Sequence, residues 1–99
     1  MSLESVEEKM EDMIADLGNL NATVKFECKG EGVIYLDATQ SPAELSHDDD
    51  VADCTIKITT ANLEKLLDGK LDPMLGFTMG KIKVKGSMGV AMKLTNLLN

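Results

Sequence analysis

The sequence predicts an α+β domain in which an antiparallel-dominated sheet is covered on one face by helices. Three observations carry this. Residues 3 to 17 repeat apolar side chains at helical spacing, residues 23 to 37 alternate them in two runs joined by Gly30-Glu31-Gly32, and residues 87 to 98 form an apolar stripe too wide for a simple surface helix.

The first helix follows from Leu3, Val6, Met10, Met13, Ile14 and Leu17, which share one stripe, with Glu4, Glu7, Glu8, Glu11, Asp12 and Asp16 around it; it closes near Gly18. Thr23 to Lys29 then places Val24, Phe26 and Cys28 on one face, and the glycine turn leads into a second strand through Val33 to Asp37. Residues 39 to 50, TQSPAELSHDDD, read as a solvated loop. Cys54, Ile56 and Ile58 restart the alternation in a third strand, followed by a helix over Ala61 to Leu67 capped by Thr60 and ended by Gly69. Asp72-Pro73 opens a short helix, because an aspartate caps the free amides and proline tolerates the first helical position. A fourth strand over Lys81 to Lys85 turns Ile82 and Val84 inward and the three lysines outward. Ser87 caps the final helix.

The stretch from Gly69 to Leu98 holds four of the seven methionines, Met74, Met79, Met88 and Met92, within nineteen residues. Unbranched thioether side chains fill irregular space and repack cheaply, which suits a surface that accepts apolar ligands of varied shape. An empty apolar pocket of about 300 Å³ would cost about 7 kcal/mol at the engineered-cavity slope, so any pocket here should be partly collapsed or filled. Burying a chain of about sixteen carbons offers about 12 kcal/mol before the costs of association are subtracted.

The same stretch resembles the C-terminal half of the sterol carrier protein type 2 domain, the non-specific lipid-transfer family. Gly69, Lys70, Pro73, Phe77, Gly80, Lys81, Lys83, Gly86, Met88, Gly89, Ala91, Met92, Lys93, Leu94 and Leu97 carry the likeness, and Ala52 to Ile56 is similar to the family's third strand. The resemblance implies a five-stranded sheet, one more strand than the pattern alone locates. It also implies a hydrophobic lipid cavity between the sheet and the C-terminal helices, and a function of non-covalent binding or transfer of a fatty acid, fatty acyl-coenzyme A, sterol-like or isoprenoid lipid. The expected lining is Met74, Leu75, Phe77, Met79, Ile82, Met88, Met92 and Leu97. Many family members have glutamine where this chain has Thr95, a shorter polar group. An accessory role, docking a lipid- or quinone-metabolising enzyme, is the alternative the family offers.

Ninety-nine residues make one expected domain over 1–99. Net charge is −7 but unevenly spread: residues 1–50 hold thirteen acids against three lysines, and residues 51–99 hold four acids against seven lysines. Arginine is absent, which together with the acidic balance argues against a nucleic-acid partner. An acidic N-terminus and the lack of an apolar run of about 18 residues give the expectation of a soluble cytoplasmic protein. The terminal Leu97-Leu98-Asn99 differs from the Ser-Lys-Leu-like ending of the peroxisomal family members.

Candidate chemistry is sparse. Cys28 and Cys54 take inward strand positions without a Cys-x-x-Cys spacing and read as buried free thiols, bridgeable only if their strands are neighbours. His47 with Asp48, Asp49, Asp50 and Asp53 lacks the glycine and terminal glutamate of a calcium loop, so no metal is expected. No nucleophile, acid–base pair or cofactor motif is present, and no enzymatic activity is expected. Lys81, Lys83 and Lys85 form a stripe of like charge that fits either edge protection or contact with anionic headgroups, including a transient contact with an anionic membrane.

Overall fold

The computed structural model describes residues 2–98. The chain opens with helix α1 (Leu3–Asp12), whose free amides are satisfied by a capping box: Ser5 N donates to Ser2 Oγ at 3.1 Å and Ser2 N donates to Ser5 Oγ at 3.2 Å. The expected single helix to Leu17 is broken at Met13, whose N–H donates to Met10 O at 3.0 Å in a tight turn. Helix α2 (Ile14–Leu17) and a 3-10 turn (Gly18–Leu20) follow, and this bend brings Leu17 and Leu20 into the core beside Val6 and Met10.

Strands β1 (Thr23–Cys28) and β2 (Gly32–Asp37) form the predicted hairpin, with Phe26 opposite Ile34. The fifth strand, β3 (Glu44–Ser46), lies within the segment expected to be a loop; its three residues pair with Asp37 to Tyr35 at one sheet edge. Strand β4 (Cys54–Ile58) pairs in parallel with β1, and β5 (Lys83–Gly86) pairs antiparallel with β4 at the other edge. The order is β3-β2-β1-β4-β5, so the connection from β3 to β4 must cross the sheet.

It crosses the face opposite the helices. Lys25 Nζ donates to Asp49 Oδ1 at 2.9 Å and the Tyr35 hydroxyl donates to Val51 O at 2.7 Å, both from outward strand positions. Thr23 N donates to Asp53 Oδ2 at 3.1 Å and Asp53 N donates to Thr23 Oγ1 at 2.9 Å, which fastens the strap to β1. His47 Nε2 lies 2.7 Å from Glu7 Oε2 of α1. The acidic run is therefore a pinned strap, because its carboxylates and carbonyls find fixed donors on the sheet.

Helices α3 (Thr60–Leu67), α4 (Pro73–Thr78) and α5 (Met88–Leu98) complete the chain. The cap of α3 is Thr59, one residue earlier than expected, with Asn62 N donating to Thr59 Oγ1 at 3.1 Å. The other two caps fall as predicted: Met74 N donates to Asp72 Oδ1 at 2.9 Å, and Val90 N to Ser87 Oγ at 3.2 Å. The core joins Val24, Phe26, Ile34, Leu36, Cys54 and Ile56 of the sheet to Val6, Met10, Leu63, Leu66, Ala91 and Leu94 of the helices. Ile82 is buried as expected, but it precedes β5 in a turn instead of lying within the strand.

Cys28 and Cys54 are both buried and free. Their strands are neighbours, yet the register sets Cys54 opposite Val24 and Cys28 opposite Ile58. Four residues of offset separate the thiols by about 13 Å along the strands, beyond the reach of a disulfide. Burial pushes both thiols above their ordinary range, which leaves them poor nucleophiles.

Candidate apolar ligand site and basic groove

Helix α4 is short because Gly69 and Gly80, at φ +75° and +77°, end the segments on either side of it. Pro73 and Gly76 turn inward, and the packing of Gly76 on Ile82 holds α4 against the body of the protein. The opposite side of the helix carries Met74, Leu75 and Phe77. They are exposed to 66%, 56% and 46%, and Met79 just beyond the helix to 58%.

Helix α5 packs against α4 and over β4 and β5. Ala91 and Leu94 enter the core while Met88 and Met92, one turn apart, are exposed to 51% and 65%. Six large apolar side chains thus lie open on two touching helices. Large apolar side chains exposed singly are ordinary on a soluble protein, and a group of six within nineteen residues is more than that scatter supplies.

Of the eight residues expected to line a cavity, these six form an open apolar surface in this structure, not the wall of a closed chamber. Ile82 is a core residue beneath Gly76, and Leu97 is half-buried against the core.

Lys81, Lys83 and Lys85 are all exposed, as the alternation required. Two of them join a concavity that sequence reasoning missed. An open groove of about 880 Å³ lies where the strands end, lined by the β1–β2 turn, Lys57, Thr59, Asn62, Gly80, Lys81 and Lys83. It is assembled from three turns far apart in sequence. The glycines Gly30, Gly32 and Gly80 were the only local signal. A smaller hollow of about 400 Å³, between α2 and residues 38–43, holds none of the predicted site residues.

Among the described residues no group of three or more His, Cys, Asp or Glu side chains is arranged to hold a metal ion. Among the same residues, no helix is long and apolar enough to cross a membrane.

Comparison with known proteins agrees with this architecture. The family model of the SCP-2 sterol transfer family matches residues 3–99. Sterol carrier protein 2 of Oryctolagus cuniculus is 49% identical over 53 residues, a match that covers 54% of this chain and 10% of that protein, so the chain spans only a small part of that relative. Among solved structures, the sterol carrier protein domain 2 of Helicoverpa armigera superposes with a TM-score of 0.77 at 28% identity, covering 96% of this chain and 83% of that one. A UbiJ-SCP2 ubiquinone synthesis protein superposes with a TM-score of 0.72 at 19% identity, covering 96% and 90%, which shows a shared fold.

Proposed function

Because the chain belongs to the SCP-2 sterol transfer family, we propose that residues 1–99 act as one lipid-binding unit that carries a long-chain lipid, with no bond made or broken in the cargo. The observation that carries this reading is the exposed apolar surface of Met74, Leu75, Phe77, Met79, Met88 and Met92. A fatty acid, fatty acyl thioester, sterol or isoprenoid laid along α4 and α5 would cover it. Flexible thioethers accommodate any of these shapes.

Binding need not fill a standing cavity. Gly76 allows α4 to rest closely on Ile82, so a lipid can enter by lifting a six-residue helix flanked by two positive-φ glycines. Separating α4 from the body opens space without unfolding the sheet. Lys81, Lys83 and Lys85 supply positive charge beside the end of α4 for an anionic headgroup or an anionic membrane from which cargo is drawn.

A fluorescent long-chain fatty acid tests the reading. It should be displaced by unlabelled long-chain lipid with a Kd in the micromolar range or below, and native mass spectrometry should show lipid bound to the protein as isolated. Signal indifferent to every competitor would contradict it. The same exposed surface also supports a second reading, in which α4 and α5 dock a lipid- or quinone-metabolising enzyme. That reading expects no bound lipid.

A further inference from the structure

We propose that the open edge of β5 (Lys83–Gly86) receives an extended acidic segment of another protein, which adds to the sheet as a further strand. The proposal goes beyond lipid carriage and stands whether or not lipid is bound.

The backbone at this edge is the first support. Strand β5 ends the sheet on its side. Lys29 N donates to Ile58 O at 3.2 Å, so Cys54, Ile56 and Ile58 turn their backbone groups toward β1, and Thr55 and Lys57 turn theirs toward β5. Lys85 and Lys83 are the partners that complete those bonds, and Ser87 N donating to Asp53 O at 2.8 Å continues the alternation. Val84 and Gly86 therefore point their N–H and C=O groups away from β4. Among the described residues, no turn or cap hydrogen bond engages the backbone of either one. A row of unpaired donors and acceptors is a template for another strand. Gly86 puts no side chain in the way of an approaching backbone.

Charge decides which strand fits. Lys83 and Lys85 are exposed on the sheet face away from the helices, and Lys57 stands directly opposite Lys83 on that face. Among the described residues, no carboxylate lies within 4.0 Å of Lys81, Lys83 or Lys85. Like charges across strands repel and opposite ones attract, so acids placed beside Lys83 and Lys85 supply the missing countercharge. The residue between those acids falls beside Val84, which is half-buried on the side where β5 meets α5, and an apolar side chain belongs there. The recognised pattern is acid, apolar, acid.

A second copy of this chain does not offer that pattern. Its β5 would set lysine beside lysine. Its acidic run is already pinned, with Asp49 on Lys25 at 2.9 Å, Asp53 accepting from Thr23 N at 3.1 Å, and His47 Nε2 2.7 Å from Glu7. Its other edge strand, β3, has three residues and one acid, Glu44. The lysines thus bar self-pairing and admit an acidic partner.

The test compares a short fluorescent peptide alternating glutamate and valine with one alternating lysine and valine. The glutamate peptide should bind at least about tenfold more tightly, the difference between attractive and repulsive cross-strand pairs at two positions. At saturation it should slow hydrogen exchange of the Val84 amide and leave the amides of Lys83 and Lys85, already bonded to β4, nearly unchanged. Lys83→Glu combined with Lys85→Glu should reverse the preference. Val84→Pro removes the outward amide without removing a bond to β4, and should abolish binding. Circular dichroism confirms folding of each variant; if the proline variant does not fold, the charge reversal and the exchange pattern decide. No binding of the glutamate peptide at millimolar concentration, or equal binding of the two peptides, overturns the proposal. A charge preference without protection of Val84 would reduce the edge to a charged surface and overturn strand addition. Protection of Val84 that rises with protein concentration in the absence of peptide would make a second copy the occupant and overturn the assignment to an acidic partner.

Discussion

Gly76 and Ile82 are packed so closely that a Cβ at position 76 would stand 2.8 Å from the Ile82 Cδ1. The contact sets how near α4 can lie to the core. Ile82 is only 6% exposed, so added bulk at 76 must displace either the end of the Ile82 side chain within the core or the helix that carries Met74 and Phe77. Gly76→Val should cost about 1 to 3 kcal/mol, the usual range for overpacking, measured by urea denaturation. Fatty-acid affinity should change with it, and an unchanged midpoint would show that α4 is not docked here.

A second close approach fixes the start of α5. Gly86 has φ +95°, and a Cβ there would lie 2.6 Å from the Asp53 carbonyl oxygen, the same oxygen that accepts a hydrogen bond from Ser87 N at 2.8 Å. Neither the backbone angle nor the backbone neighbour can adjust cheaply. Gly86→Ala should therefore destabilise by about 2 kcal/mol or more, read as a fall in the denaturation midpoint. A neutral result would remove Gly86 as the anchor of β5 on β4.

Met92 tests the apolar surface without threatening the fold. At 65% exposure it can be replaced by aspartate with the charge left in water, so circular dichroism and thermal midpoint should stay close to wild type. Bound lipid would have to cover that charge, a cost of several kcal/mol, and affinity should fall at least about tenfold. Met92→Asp that binds lipid as wild type does would exclude this part of α5.

Asp37 is held below the ordinary carboxylate range by hydrogen bonds from the Thr39 hydroxyl and from Gln40 Nε2 at 2.9 Å, with the Thr39 amide adding another at 3.0 Å. A depressed folded-state value means the charged form favours folding. That contribution is present above the unfolded carboxylate's pKa and is lost as pH falls through the folded one. Carbon-detected NMR titration should place Asp37 below the ordinary value for aspartate, and Thr39→Ala should move it upward. A wild-type titration at the ordinary value would contradict the geometry.

Much of this architecture was legible because the signals were local. Asp72-Pro73, Ser87 and Gly30-Glu31-Gly32 each fix a backbone feature with their own side chains or with the lack of one, and the structure places a cap or turn at each. The strand β3 was not legible: three residues, Glu44 to Ser46, are too few for an alternation to register, and their pairing partner is supplied by β2. The parallel pairing of β1 with β4 was equally hidden, because the strap that permits it is held by Lys25 and Tyr35 from distant positions. The same limit applies at the site. Helical spacing groups Ala91 with Met88 and Met92 on one stripe of α5, and only tertiary packing decides that Ala91 faces the core and Met92 faces out. The groove that gathers Lys29, Lys57, Lys81 and Lys83 depends on three turns meeting in space.

Methionine methyl NMR tests the central claim most directly, because the methionines are distributed between the core and the proposed lipid surface. Met10 is fully buried on the inner side of α1, while Met74, Met79, Met88 and Met92 are exposed on or beside α4 and α5. With ¹³C-methyl methionine in the protein, titration with a long-chain fatty acid should shift the signals of these four and leave that of Met10 nearly unmoved. Shifts confined to Met10 and Met13, or no shift at saturating ligand, would contradict lipid binding on the α4–α5 surface.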